Sequence, residues 1–248
     1  MMQLHRAVSQ FQTDLTTLTD RLSVLIQTYG KTPMMGRTLL QHALPITFGD
    51  KLTGWLDGLT RSVDRLQRLA DSGLVLQLGG PVGTGTSFGA QVATIRQRVA
   101  QQLDLQPTDH AWHTQRDRLN ELTTALGILN GSLGKLANDV ILLMQTEVGE
   151  VREGAAEGKG GSSSMPHKRN PVSATFMLSI AHQTPGLVSA MLGAMIQPHE
   201  RAAGAWHSEW PIVRQLARLT GANLHHANEL FAGLEVDVDR MKKNMGGG

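Results

Sequence analysis

The chain contains no cysteine, a single tyrosine, and aromatic residues at only 4% of 248 positions. The missing thiol excludes disulfides, thiolate zinc sites, iron–sulfur clusters and cysteine nucleophiles together. It also fits a reducing compartment, so the cytoplasm is the expected location. With so few rings, a core has to be assembled from Leu, Val, Ile, Met and Ala. No apolar run reaches the roughly 18 residues of a membrane span, and MMQLHRAVSQFQTD lacks the apolar stretch and small-residue cleavage site of a secretory signal. Neither membrane insertion nor export is expected. An excess of one charge is lacking too: 23 Lys and Arg oppose 21 Asp and Glu, a net of +2. That balance offers no electrostatic footprint for nucleic acid or an anionic membrane surface.

What is present is helical periodicity. Trp55, Leu56, Leu59, Val63, Leu66 and Leu69 recur at spacings of three and four, and Asp71-Ser72-Gly73 is a stop signal. Leu119, Leu122, Leu126, Leu129, Leu133, Leu136, Val140 and Leu143 alternate three and four without a break, the pattern of a bundle seam. Residues 1–29, 173–197 and 207–234 also read as helix, with Pro185 expected to bend or interrupt the fourth of the five. No segment combines β-branched residues with period-two alternation. Five long helices without a strand predict an all-α bundle of up-and-down type. Three stretches break the periodicity, 31–49, 77–89 and 152–171, and function is sought there because long loops in compact bundles are seldom neutral.

The stretch Gly79-Gly80-Pro81-Val82-Gly83-Thr84-Gly85-Thr86-Ser87 has P-loop spacing, but Thr86 stands where the phosphate-binding lysine belongs and a helix precedes it where a strand is required. A close-approach turn is the better reading. His199-Glu200 is followed by Ala203 where a zinc-binding helix needs its second histidine, and His225-His226 reads as a surface or packing pair on diverging faces. The third stretch, Glu157 to Pro171, leads with glycines into three hydroxyls and then Lys168, Arg169 and Asn170. That order suits a loop that brings a proton-transfer group to an anion. On composition alone it also reads as a solvated Gly/Ser linker.

Gly161-Ser162-Ser163-Ser164-Met165-Pro166-His167-Lys168-Arg169-Asn170-Pro171 resembles the signature loop, GSSxMPxKxNP, of the fumarase/aspartase superfamily. Gly36-Arg37-Thr38-Leu39-Leu40-Gln41-His42-Ala43-Leu44-Pro45 resembles a second superfamily stretch, GxTxxQxAxP. Within the superfamily the pattern is most similar to the bacterial 3-carboxy-cis,cis-muconate cycloisomerases, on Met34 to Thr38, Leu78-Gly79-Gly80, Trp112-His113, Arg116-Asp117-Arg118, Met144 to Glu147, and His199-Glu200-Arg201 with Trp206-His207.

The resemblance implies a long helical bundle packed into a tetrameric core, intramolecular addition of a carboxylate to a double bond, a small tricarboxylate substrate, and no metal or cofactor. It assigns proton transfer to Ser162 and stabilisation of the charge that develops on the substrate to Lys168 and Asn170. Thr38 and Gln41 are implied to hydrogen-bond substrate, a helix-entry turn being the alternative, and Arg201 to bind an anionic group. Ser163 reads as a loop cap or substrate contact. Arg37 and Arg118 are lesser carboxylate clamps, since a guanidinium near a helix end often serves a surface ion pair. Several relatives carry His directly after the Thr matching Thr38, where this chain has Leu39. A leaving carboxylate, with a pKa near 4, needs no acid there, which favours cycloisomerase over adenylosuccinate lyase, with His42 or His113 as possible substitutes. A catalytically silent helical scaffold is the non-enzymatic alternative. The resemblance runs from about Met34 onward, so residues 1–248 read as the central helical domain of a longer enzyme, with little turnover of their own. The Leu119 to Leu143 stripe exceeds what one small bundle needs, and the resemblance implies that such helices pack into a homotetramer with composite sites.

Overall fold

In a computed structural model of the chain the described residues are 1–154, 160, 161, 165 and 168–246. Their order is α1 (Met2–Tyr29), strands β1 (Pro33–Thr38) and β2 (Gln41–Thr47), α2 (Phe48–Arg68), α3 (Val92–Gln102), α4 (Asp117–Met144), β3 (Val151–Arg152), α5 (Val172–Gly193), α6 (Ala205–Ala232), β4 (Glu235–Val236) and α7 (Val238–Asn244). Five long helices carry the architecture, as the periodicity predicts.

The stretch 31–49 is not a loop. It forms an antiparallel hairpin of β1 and β2, with a register shift between Met35 and Arg37. Gly36, the bulge and Pro45 erase the alternation by which a strand is read from sequence. The hairpin leads straight into α2 through a reciprocal cap: Thr47 N and Oγ1 each donate to Asp50 Oδ2 at 2.8 Å, and Asp50 N donates to Thr47 Oγ1 at 3.0 Å. Those donors hold the Asp50 carboxyl below its ordinary pKa.

Pro185 does not interrupt α5, whose helical span continues through it. Thr184, Ile180 and Met191 on either side are buried, and packing of that face outweighs the lost backbone hydrogen bond. The stripe on α4 is buried by the chain itself: from Leu119 to Leu143 each member is at most 8% exposed. It therefore leaves no open apolar seam for a second copy to cover. α1 carries a similar buried row in Val8, Phe11, Leu15, Leu18, Leu22 and Leu25.

Packing divides the chain into two compact units, Met1–Thr13 with Ser62–Leu129 and Gln183–Gly221, and Asp14–Arg61 with Asn130–His182 and Ala222–Gly248. In the second, Trp55 sits edge-on to Phe48 and Phe231 and donates its indole N–H to Asp139 Oδ2 at 2.9 Å, where Lys135 also pairs. Asn223 Nδ2 donates to Asn130 Oδ1 at 2.8 Å in the fully buried layer between α4 and α6. No helix among the described residues is long and apolar enough to cross a membrane.

Two glycines three residues apart on α4 test the closeness of this packing. A Cβ on Gly134 would stand 2.4 Å from the Ala181 Cβ of α5, which cannot rotate away, whereas Gly131 faces open space. Gly134→Ala is expected to destabilise the fold by about 1–3 kcal/mol. Gly131→Ala is expected to stabilise it by about 0.5–1 kcal/mol through helix propensity. Denaturant midpoints decide it, and equal shifts of the same sign would contradict the packing.

Candidate active site

The second unit holds both superfamily stretches. Thr38 and Gln41 are the last paired residues of the hairpin, and both are exposed. Between them Leu39 and Leu40 have φ of 51° and 64°, consecutive left-handed conformations that a two-residue hairpin turn requires and a leucine resists. Leu39 is 96% exposed, so no burial compensates for the strain. Such strain concentrates at functional positions. His42 stands across the hairpin from Arg37.

Arg37 is already engaged. Its Nη1 and Nη2 meet Glu150 Oε2 and Oε1 at 3.0 and 2.6 Å, and Nη1 donates to Met35 O at 3.3 Å. Glu150 is fully buried and accepts a further bond from Asn244 Nδ2 at 2.8 Å. The clamp expected for a substrate carboxylate thus holds a carboxylate of the protein. α7 fixes the same region from its other side: Arg240 donates to Val148 O at 2.9 Å and Glu147 O at 2.7 Å, and Asn244 to Val148 O at 2.8 Å. Nearby Lys51, on α2, has its pKa lowered, first by burial.

Ser162 and Ser163 lie outside the described residues. Lys168 and Asn170 lie within them: Lys168 is exposed and donates its backbone N–H to Met165 O at 3.0 Å, and Asn170 N donates to Gly160 O at 2.8 Å. Arg169, between them, pairs with Glu235. Its hydrogen bonds hold the Glu235 carboxyl below the usual range, against the opposing effect of burial.

The first unit holds Arg118 and Arg201. Arg118 borders a polar cavity of about 650 Å³ with Asp109, His110 and Gln115, and reaches Ser72 O at 3.4 Å. Arg201 donates to Gly80 O and Pro81 O at 3.2 Å and lies over the Trp206 ring at 5.7 Å. It thus braces the glycine-rich turn, which Arg96 holds from within through Leu78 O at 2.9 Å and Asp109 O. The turn folds on itself: a Cβ on Gly79 would lie 2.5 Å from Gly83 O.

A second cavity, of about 700 Å³, is lined in part by Trp112, His113, Arg116, Trp206, Glu209 and Trp210. Arg116 and Glu209 form a buried two-pronged ion pair there. His113 packs edge-on to Trp206 at 4.6 Å, and its Nε2 is buried without a hydrogen-bond partner among the described residues. Burial, then the charges of Arg201 and Arg116, lower its pKa, with Glu209 opposing. Among the described residues no group of three His, Asp or Glu is placed to hold a metal ion.

The buried acids Glu150 and Glu153 were invisible to sequence reading. Nothing in the run Gly149-Glu150-Val151-Arg152-Glu153 distinguishes a buried glutamate from a solvated one.

The sequence model of a family described as lyase matches residues 1–186. The chain belongs to that lyase family. It is 48% identical over 246 residues to a 3-carboxy-cis,cis-muconate cycloisomerase of Pseudomonas aeruginosa, covering 99% of this chain and 54% of that protein. It is 41% identical over 253 residues to a nitrosuccinate lyase of Streptomyces davaonensis, covering 99% of this chain and 53% of the relative. The crystal structure of the 3-carboxy-cis,cis-muconate lactonizing enzyme from Pseudomonas putida superposes with a TM-score of 0.92 at 43% identity, over 98% of this chain and 54% of that one. The chain therefore spans about half the length of these lyase relatives, and the superfamily read from the signature loop agrees with the family match.

For this lyase-family member, His113 is expected to titrate below the ordinary histidine value of about 6.5. Folding then favours the neutral ring, so stability is lost as pH falls from that value towards the lowered pKa. Resolved histidine resonances across a pH series check the midpoint, and His113→Gln is expected to flatten the acid limb of the stability curve. A His113 midpoint above 6.5 would contradict the electrostatics.

Proposed function

We propose that these 248 residues are the central helical domain of a cytoplasmic cycloisomerase that interconverts 3-carboxy-cis,cis-muconate and 4-carboxymuconolactone. The similarity to cycloisomerases at 48% identity over nearly the whole chain supports the reading. The observation that carries it is Leu39, which sits exposed at the hairpin tip directly after Thr38, where an imidazole would serve a leaving amine. A carboxylate leaves without protonation, and an aliphatic side chain suffices.

In the lactonising direction a substrate carboxylate oxygen bonds to one carbon of a conjugated double bond. The electron pair moves onto the adjacent carbon and into its carboxylate, and Ser162 then delivers a proton to that carbon. In reverse, the Ser162 alkoxide removes the proton and the ring C–O bond breaks to release the carboxylate. The intermediate carries an added negative charge. Lys168 and Asn170 are the cation and donor set for it, because preorganised electrostatics is usually the largest catalytic term. Arg201 and Arg118 bind the remaining carboxylates of the tricarboxylate, with Thr38 and Gln41 orienting it. The tetrameric assembly with composite sites belongs to the same proposal, and its support lies at the hairpin tip, where Leu39, Leu40 and Leu44 are 96%, 72% and 75% exposed beside Thr38 and Gln41.

The direct assay is loss of the muconate ultraviolet absorbance on adding the full-length enzyme, with nitrosuccinate and adenylosuccinate offered alongside. Turnover of either of those in preference to the muconate would move the assignment to an eliminating lyase, and binding of none of them would favour a silent scaffold. Ser162→Ala is expected to lower kcat by about 10²–10⁴-fold, and undiminished turnover would remove Ser162 from the mechanism. Mixed Ser162→Ala and Thr38→Ala enzymes are expected to recover activity after subunit exchange. A stable monomer by light scattering, or no recovery, would count against composite sites.

A further inference from the structure

The signature loop lies between β3 and α5 in the sequence, and the described residues on its two sides are tied to one another. Glu153, directly after β3, is 6% exposed, and its carboxylate accepts from Ala174 N at 2.8 Å and Ser173 N at 3.0 Å. The residue before the loop thus caps the helix after it. A Cβ on Gly154 would stand 2.7 Å from Gly233 O, so the departing chain lies against the segment that leads to β4. β3 and β4 pair as Val151 with Val236 and Arg152 with Glu235.

Arg169 attaches to this same ribbon. It occupies the unspecified position of KxN, between the two residues assigned to the developing charge. Its Nη1 and Nη2 meet Glu235 Oε2 and Oε1, each at 2.8 Å, in a two-pronged pair, and Nη2 also donates to Glu153 O. All these donors face protein acceptors, and the substrate-facing chemistry is left to its neighbours. Among the described residues Lys168 and Asn170 are held through their backbone, Lys168 N donating to Met165 O, Asn170 N to Gly160 O, and Asn170 O accepting from Val172 N.

We propose that Arg169 is a positioning residue: its fork onto Glu235 and the Glu153 carbonyl sets where Lys168 and Asn170 stand, without touching substrate. The proposal rests on the cycloisomerase reading of Lys168 and Asn170. Two mobile backbone residues cost about 1–2 kcal/mol each to order at the moment of reaction, and a misplacement of about 1 Å costs up to about 10²-fold in rate. A guanidinium fork fixes both distance and plane, which a lysine ammonium does not.

The test is made in the full-length enzyme. Arg169→Gln is expected to lower kcat about 10–100-fold with KM nearly unchanged and Tm preserved, and to speed amide exchange at Asn170. Glu235→Gln, which leaves the signature sequence intact, is expected to do the same to a smaller extent. Arg169→Lys should recover part of the loss, and the swap Arg169→Glu with Glu235→Arg should exceed either single variant about tenfold. Wild-type kcat in Arg169→Gln, an effect confined to KM, or a swap no better than the singles would overturn the assignment. A wild-type enzyme inactive on the muconate overturns the functional reading and with it the catalytic consequence. Asn170 exchange unchanged in Arg169→Gln overturns the tie itself, whatever the substrate.

Discussion

A carboxylate removed from water has to be matched by charge and hydrogen bonds or the fold does not tolerate it, and the second unit turns on that constraint at Glu150. Both side-chain oxygens accept from Arg37, and Asn244 adds a third donor. The backbone of Glu150 is committed as well: its N–H donates to Leu143 O at 2.9 Å and its carbonyl accepts from Asp237 N at 3.0 Å. One residue thereby fastens the hairpin, the end of α4 and the start of α7. Removing Arg37 alone would strand the buried charge, a change worth about 3–5 kcal/mol in comparable sites. The same engagement explains why Arg37 is not free for substrate and why Thr38, its neighbour, projects from a fixed point.

Three residues later Glu153 repeats the device with a different partner, the N-terminal N–H groups of α5. Two buried acids flank a two-residue strand, and each anchors the base of a segment that bears candidate chemistry. The pattern is rigid at the base and exposed at the end. In the hairpin it culminates in two leucines held at positive φ, and at the signature loop in Lys168 beside a pinned Arg169. Sites built this way keep reacting groups within reach of substrate while their supports absorb the strain.

The helices were legible because each buries one stripe, and Leu119 to Val140 repeats that stripe for enough turns to leave no ambiguity. The hairpin was not, since strand reading depends on alternation and Gly36, the bulge and Pro45 remove it. The interruption expected at Pro185 is absent, because local propensity is weighed against burial that only the folded chain reveals. The candidate site divides in the same manner. Lys168, Asn170, Thr38 and Gln41 were found through the order of their neighbours, whereas Glu150, Glu153 and Glu235 act through partners 16 to 113 residues away. No local pattern encodes such distances, and a glutamate in a mixed-charge run reads as solvated until its arginine is located.

The burial of the α4 stripe moves the case for assembly to a different surface. A seam already covered by its own chain has nothing left to offer a second copy, so the leucine repeat explains the bundle and gives no support to the proposed assembly. The hairpin tip is the reverse: Leu39, Leu40 and Leu44 are open to water and flank Thr38 and Gln41. Hydrogen bonds from an open threonine and glutamine to a substrate carboxylate compete with solvent and orient little. Once water is excluded the same bonds strengthen, because the local dielectric falls. For the proposed reaction, covering the leucines and making the two polar residues effective are therefore one event, which ties the chemistry of the tip to whatever surface closes over it.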